Sequence, residues 1–309
     1  NGGIRMDGTH NAPVTSGVAT WTCTSQFGCN GNQTKNGVFG AGSNPSLWDY
    51  PVPPVDFNGL TVDLGHLKGY ATSSGGIYLA PSSKFGWYVT FNADGTLTAR
   101  KVNTVTTVWG YSTDNGYAQE NSVMGQLASA TTYAIPSACP VIFAEDNVWV
   151  DGVVSGKMVL AAADVTSANV DRSMIINGNL TYAHQSGDGI TLIAEQDNLI
   201  GLQTPDTMTI RGVFIAQKGR FGRNHYESSG THAVPSGYVQ YVTRSTLNTT
   251  GTVVSKGRVG TKWTSGTPPV FVSGYAQRND SFDRALSAAP PPFTPSTSSD
   301  FIFKSWQEQ

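Results

Sequence analysis

Two stretches decide how this chain is read: VIFAEDNVWV (Val141–Val150) and TLIAEQDNLI (Thr191–Ile200). Each runs from a short apolar segment through Ala-Glu to an Asp-Asn pair and then into a second apolar segment. Apolar runs of this length, bounded by turn residues, read as strands. The theme continues in GVFIAQKGRFG (Gly212–Gly222) and GTVVSKGRVG (Gly251–Gly260), which share the turn Lys-Gly-Arg-x-Gly. Between them lie two more such units, GKMVLAAAD (Gly156–Asp164) and RSMIINGNLTY (Arg172–Tyr182).

The spacing of like residues sets the architecture. Ile142 and Leu160 are 18 residues apart, Ile193 and Ile215 are 22 apart, and Lys218 and Lys256 are 38 apart. Coils of about 18 to 25 residues built from short strands suit a parallel β-helix, in which each coil buries its apolar residues only by stacking on the next. Two similar turns are then two coils sharing a corner, and Ala144, Ala194, Ala216 and Ser255 mark the shared position. Composition agrees: 13% of the 309 residues are charged and 35 are Gly, a profile of β strands and tight turns.

The expected fold is mainly β: a parallel β-helix (solenoid), read as a single elongated domain over residues 1–309. A small α/β or β-hairpin insertion or cap spans 60–133. Within it, Leu60, Val62, Leu64 and Leu67 suit a helix over 58–72, and Trp87, Val89 and Phe91 lead into a hairpin turn at Asn92–Gly95. The chain closes with an extended strap through Pro290-Pro291-Pro292, with Phe301, Phe303 and Trp306 expected to add a final strand. Thr22–Trp48 reads as a Gly/Asn-rich excursion. The opening Asn-Gly-Gly carries no signal peptide, so a preceding segment is expected to be removed by processing. No run of 18 apolar residues is present, so no transmembrane segment is expected.

Three cysteines leave one over. Cys23 and Cys29 have a spacing that suits a small disulfide, with three independent thiols as the alternative. The net charge of −2 conceals an asymmetry. Residues 141–206 carry nine acidic groups against Lys157 and Arg172, and residues 211–263 carry eight basic groups against Glu227. Subunits meeting acidic face to basic face are one consequence.

No nucleophile elbow, zinc-binding helix or calcium loop is present, so no catalytic, cofactor or metal residue is assigned. Stacked turns would gather Glu145, Asp146, Glu195 and Asp197 along one edge. Such carboxylates read first as a solvated face, with a Ca²⁺ site or a glycosidic acid–base pair as the functional alternatives. Lys218, Arg220, Arg223, Lys256, Arg258 and Lys262 are the candidate ligand-binding residues, suited to DNA or an acidic glycan, with Tyr226, Trp263 and Tyr275 as stacking partners. The plainer alternative is a basic corner that discourages aggregation. His225 and His232 flank Tyr226-Glu227 in a loop that admits a metal role.

YPVPPVDFNGLTVDL (Tyr50–Leu64), FGWYVTFNADGTL (Phe85–Leu97), VIFAEDNVWVDGVVSGKMVLAAAD (Val141–Asp164) and LSAAPPPFTPSTSSDFIFKSWQEQ (Leu286–Gln309) resemble a group of bacterial envelope proteins. That group has prepilin-like N-termini and is described as type IV pilus assembly or minor-pilin-like. The resemblance implies export, an extracellular or cell-surface location, a β-solenoid and pilus subunits as partners. It brings no catalytic motif. The expected function is therefore a non-enzymatic surface protein, an adhesin or structural subunit. The alternatives are a polysaccharide lyase or hydrolase, a DNA-capturing pilus component, and a trimeric phage fibre.

Overall fold

The computed structural model describes residues 2–10, 13–53, 59–167 and 170–295; the side chains of Gln26 and of residues 59–63 lie outside the description. The chain is mainly β. Residues 1–56 and 57–296 fall into two compact units.

The first unit carries six short strands among its described residues: β1 (Ile4–Arg5), β2 (Val14–Thr15), β3 (Thr20–Cys23), β4 (Gln33–Asn36), β5 (Val38–Phe39) and β6 (Trp48–Asp49). Ile4 pairs with Val38 and Val14 with Trp48, both in parallel. Both pairs join residues the same distance apart in the sequence, so β1 and β2 lie on β5 and β6 in one register. The antiparallel pair β3–β4 rises between them and is closed by the Cys23–Cys29 disulfide.

The second unit opens with helix α1 (Gly59–Ser73), one residue from the expected bounds. Leu64, Leu67 and Ala71 are its buried face, whereas the Leu60 and Val62 side chains lie outside the description. The strands that follow are β7 (Ile77–Leu79), β8 (Trp87–Phe91), β9 (Thr96–Lys101), β10 (Val105–Ser112), β11 (Gly116–Met124), β12 (Thr131–Ala134), β13 (Val141–Ala144) and β14 (Val148–Val154). Then come β15 (Lys157–Ala162), β16 (Met174–Tyr182), β17 (Gly189–Ala194), β18 (Asn198–Ile200) and β19 (Thr207–Ala216). The last are β20 (Phe221–Gly222), β21 (Thr243–Ser255), β22 (Lys262–Ser265) and β23 (Val270–Ser281), with α2 (Arg284–Ala288) after them.

Two parallel ladders organise this unit. The first runs β7–β13–β15–β17–β19–β21, and the second runs β8–β14–β16–β18–β20. Ile142 pairs with Leu160 and Ile193 with Ile215, the two pairs whose spacing suggested stacked coils. The small-residue position is one continuous ladder, Ala144–Ala162–Ala194–Ala216–Ser255. The repeated Lys-Gly-Arg turns stack as well: Gly257 N–H donates to the Gly219 carbonyl at 2.7 Å, and Gly222 bridges Gly260.

Alternate residues of the first ladder face opposite ways, and both faces are buried. Ile142, Leu160, Leu192 and Phe214 join the interior core with Val150 and Ile176 of the second ladder. Val141, Phe143, Val159, Ala161, Ile193 and Ile215 face outward, covered by α1 and by Leu286 of α2. Burial on both faces is why these strands read as unbroken apolar runs. Asp283 caps α2 through the N–H groups of Ala285 and Leu286 and pairs with Arg211. The 60–133 stretch enters the main sheet: β7 pairs β13, and the hairpin β8–β9 pairs β14. The expected final strand at Phe301–Trp306 lies outside the described residues. Among the described residues no helix is long and apolar enough to cross a membrane.

Candidate ligand-binding site

The turns after the small-residue ladder place the acidic candidates. Glu145 and Asp146 do not adjoin Glu195 and Asp197, because β15, which leads into Asp164, lies between β13 and β17. Arg172 bridges Asp146 at 3.2 Å and Asp164 at 3.3 Å. Lys68 Nζ of α1 lies 2.5 Å from Glu145, which also accepts hydrogen bonds from the Tyr78 and Thr166 hydroxyls. Ser82 donates twice to Asp146, and Lys218 pairs with Glu195 at 3.0 Å. Asp197 accepts the Arg220 N–H at 2.7 Å.

The expectation of a solvated edge is therefore corrected: Glu145, Asp146 and Glu195 are buried. Burial alone would push the Glu145 carboxyl up, but Lys68 and Tyr78 hold it below the usual carboxylate range. Asp164 is likewise lowered, its burial outweighed by Thr166, Ser167 and Arg172. Asp197 has too little compensation, and burial raises it. Among the described residues no three His, Cys, Asp or Glu side chains gather as metal ligands would. The opposite charge blocks meet inside the molecule, since Lys218 of the basic block holds Glu195 and Asp171 of the acidic one.

The six basic candidates separate. Arg223 is fully buried, which corrects its expected place on a ligand-facing surface. Its guanidinium donates to the carbonyls of Gly201, Leu202 and Tyr241 and to the Thr204 hydroxyl, and lies over the rings of Tyr226 and Tyr275. Those two tyrosines are buried with it and offer no stacking face. Lys218 is engaged by Asp171 and Glu195, which raise its pKa against the opposing effect of burial. Lys256 is exposed at the turn after Ser255.

Arg220, Arg258 and Lys262 converge. With Thr113, Val259, Gly260 and Trp263 they line a cavity of about 160 Å³. No carboxylate lines it. Arg220 is held by Asn224, with Asp114 at 4.0 Å. Trp263 is fixed by its indole N–H, which donates to the Arg223 carbonyl at 2.9 Å, and by edge contacts with Tyr111 and His225. Chemically, this is a seat for one anion beside one ring.

Sequence reading missed the wall of this site. The hairpin β10–β11 supplies Thr113 at its tip and an aromatic cluster of Trp109, Tyr111 and Tyr117, with His232 stacked on Tyr117 at 4.0 Å. Its signal was present as Asp114-Asn115-Gly116 between alternating strands, a strong hairpin turn. His225 and His232 thus serve as ring partners, and burial lowers the His225 pKa. A second cavity of about 240 Å³ lies along the same hairpin, lined by Gln119, Glu120, Asn121 and Ser122 with Phe85, Asn147, Trp149, Ser173, Ile175 and Leu199.

Compared with family models, curated proteins and solved structures, the chain matches none.

Proposed function

We propose that this chain is a non-enzymatic extracellular surface protein, an adhesin or structural subunit built as a parallel β-solenoid. The observation that carries this reading is a division of labour among its charges. Carboxylates able to do acid–base chemistry at the stacked corner are tied to Lys68, Arg172, Lys218 and hydroxyls, while the cavity at Trp263 is lined by Arg220, Arg258 and Lys262, with Asp114 4.0 Å from the buried Arg220. Such a lining binds an anion and holds no carboxylate pair to cleave a glycosidic bond.

The solenoid reading is supported by two in-phase parallel ladders and by the small-residue column at their shared corner. An extracellular location is supported by the Cys23–Cys29 disulfide, a bond that persists in oxidising compartments. Association with pilus subunits follows from the resemblance noted in the sequence.

The test has two parts. Protease or antibody access on intact cells producing the protein should reach it at the surface. The purified chain should also retain acidic polysaccharide on a column without releasing reducing ends or unsaturated sugars. Confinement to the cytoplasm would overturn the location, and steady product release would replace the adhesin with a lyase or hydrolase.

A further inference from the structure

The cavity of about 240 Å³ beside β11 is built separately from the one at Trp263. Trp149, Ile175 and Leu199 floor it from successive rungs of the second ladder. Its wall is fixed where the Trp149 indole donates to the Ser122 carbonyl at 2.8 Å and the Ser122 hydroxyl donates to Glu120 at 2.5 Å. Toward Trp263 it ends at a barrier of side chains, because Arg220 donates to Asn224 and Asn224 donates to Glu120. Clefts that hold drug-sized molecules run to roughly 300–1,000 Å³, so this one takes a single ring with its substituents.

The groups left open inside it are mostly uncharged. Asn147 is oriented by its Oδ1, which accepts the Ser173 N–H at 2.9 Å, and its Nδ2 hydrogens meet no acceptor among the described residues. The Ser173 hydroxyl accepts the Asp197 N–H at 3.4 Å and keeps its own proton to donate. Phe85, 41% exposed, presents its ring at the rim. Glu120 is the one ionisable side chain of the lining. Its carboxylate repels an anion, and it already accepts from Ser122, Asn224 and the Tyr226 hydroxyl, so a cation gains little there. A neutral ligand is favoured.

That ligand needs an apolar face for Phe85, a hydrogen-bond acceptor for Asn147 and a small apolar group for the floor. A plain hexose supplies the face and the acceptors but sets hydroxyls against Ile175 and Leu199, where they find no partner. An acetamido group carries a carbonyl and a methyl on one planar unit and answers both demands.

We infer that this cavity binds an N-acetylated hexosamine, as the terminal unit of a glycan. The acetamido methyl rests on Ile175 and Leu199, its carbonyl accepts from Asn147, and the apolar face of the sugar ring lies against Phe85. The site stands on this cavity alone and goes beyond the surface-protein reading.

Ligand-observed NMR titration of the full chain tests this. The probes are methyl glycosides of N-acetylglucosamine, N-acetylgalactosamine, glucose, galactose, glucosamine (cationic) and glucuronic acid (anionic). One N-acetylated probe is expected to bind about tenfold or more tighter than its parent hexose, and to exceed the amine and the acid by as much. Phe85→Ala, at an exposed position, should weaken that probe about fivefold or more. Asn147→Asp keeps the acceptor for the Ser173 N–H but removes the donor, and should weaken it about tenfold. Should Asn147→Asp not fold, Phe85→Ala carries the test. Tighter binding of glucosamine would mean that Glu120 selects by charge, and equal binding of the parent hexose would mean that the acetamido group meets no floor. Either result overturns the inference, as does indifference to the variants. If no probe binds, the cavity assignment falls, while protease or antibody access on intact cells still decides the surface reading.

Discussion

Arg223 and Glu145 show how an ionisable side chain in this protein becomes part of the scaffold. Arg223 donates to three carbonyls and one hydroxyl; the Leu202 carbonyl also accepts the Thr204 N–H, and the Thr204 hydroxyl accepts the Tyr275 hydroxyl. Replacing it with Met fills the volume but takes the donor from the Gly201 and Tyr241 carbonyls in the interior. Arg223→Met should cost about 3 kcal/mol or more, read as a lower urea midpoint. Lys should not rescue it, because one ammonium cannot reach the same fork of acceptors. A loss below about 1 kcal/mol would mean that water reaches those carbonyls. Glu145 makes the complementary case with pH. Its folded pKa is depressed, so the unfolded chain binds its proton more readily. The stability it contributes is complete above the ordinary carboxylate range and drains away as pH falls through the depressed value. Glu145→Gln should therefore flatten the acid side of the stability–pH curve between about pH 5 and pH 3. A variant curve parallel to the parent would show that Lys68 and Tyr78 do not favour the ionised form. Neither role was legible in the sequence. A basic or acidic residue defaults to the surface, and only the folded chain reveals that Thr204 stands beside Arg223 and Thr166 beside Glu145.

Strands and turns were far more readable than their ionic dressing. The ladder pairs Ile142–Leu160 and Ile193–Ile215 follow from spacing alone, because a short strand that cannot bury its own apolar residues must match them to its neighbours. The small-residue column was read without Ala162, because the sequence after it lacks the Ala-Glu-Asp-Asn pattern that flags the strands on either side. The hairpin β10–β11 went unread although its turn carries the expected residues, and with it went the wall of the candidate site. Corners impose their own demand. β19 and β21 bend where Gly212 meets Gly251, at φ values of 149° and 131°. A Cβ on Gly251 would lie 1.9 Å from the Gly212 carbonyl oxygen. Gly251→Ala should lower stability by at least about 2 kcal/mol in a denaturant titration. Gly260, whose Cβ would meet nothing within 4 Å, is the control, and Gly260→Ala should stay within about 0.5 kcal/mol. Equal losses at the two sites would mean that chain entropy, and not the crowded corner, sets the effect.

At the scale of the whole molecule, the two units are held by different means. Residues 57–296 have a continuous interior core running from Leu79 through Phe214 to Leu247 and Tyr275. The described part of residues 1–56 has few buried side chains: Cys23, Cys29, Val38 and Ser16. Two of its aromatic contacts, Trp21 with Phe27 and Phe39, lie next to the disulfide-closed hairpin, and a third stacks His10 on Trp48. A small unit with so little core depends on its cross-link. Closing a loop of this length is worth about 2 kcal/mol in the chain-entropy account, a large share of what such a unit can have. Cys139 is a buried thiol of the other unit and forms no bridge. Mild reduction of the full chain should therefore accelerate hydrogen exchange across residues 4–49 and leave β13, β15, β17 and β19 as protected as before. Hydrogen-exchange mass spectrometry with and without reductant reads both units in one sample. Unchanged exchange over residues 4–49 would show that the six short strands hold without the bond, and faster exchange in the long ladders would show that the two units do not unfold independently.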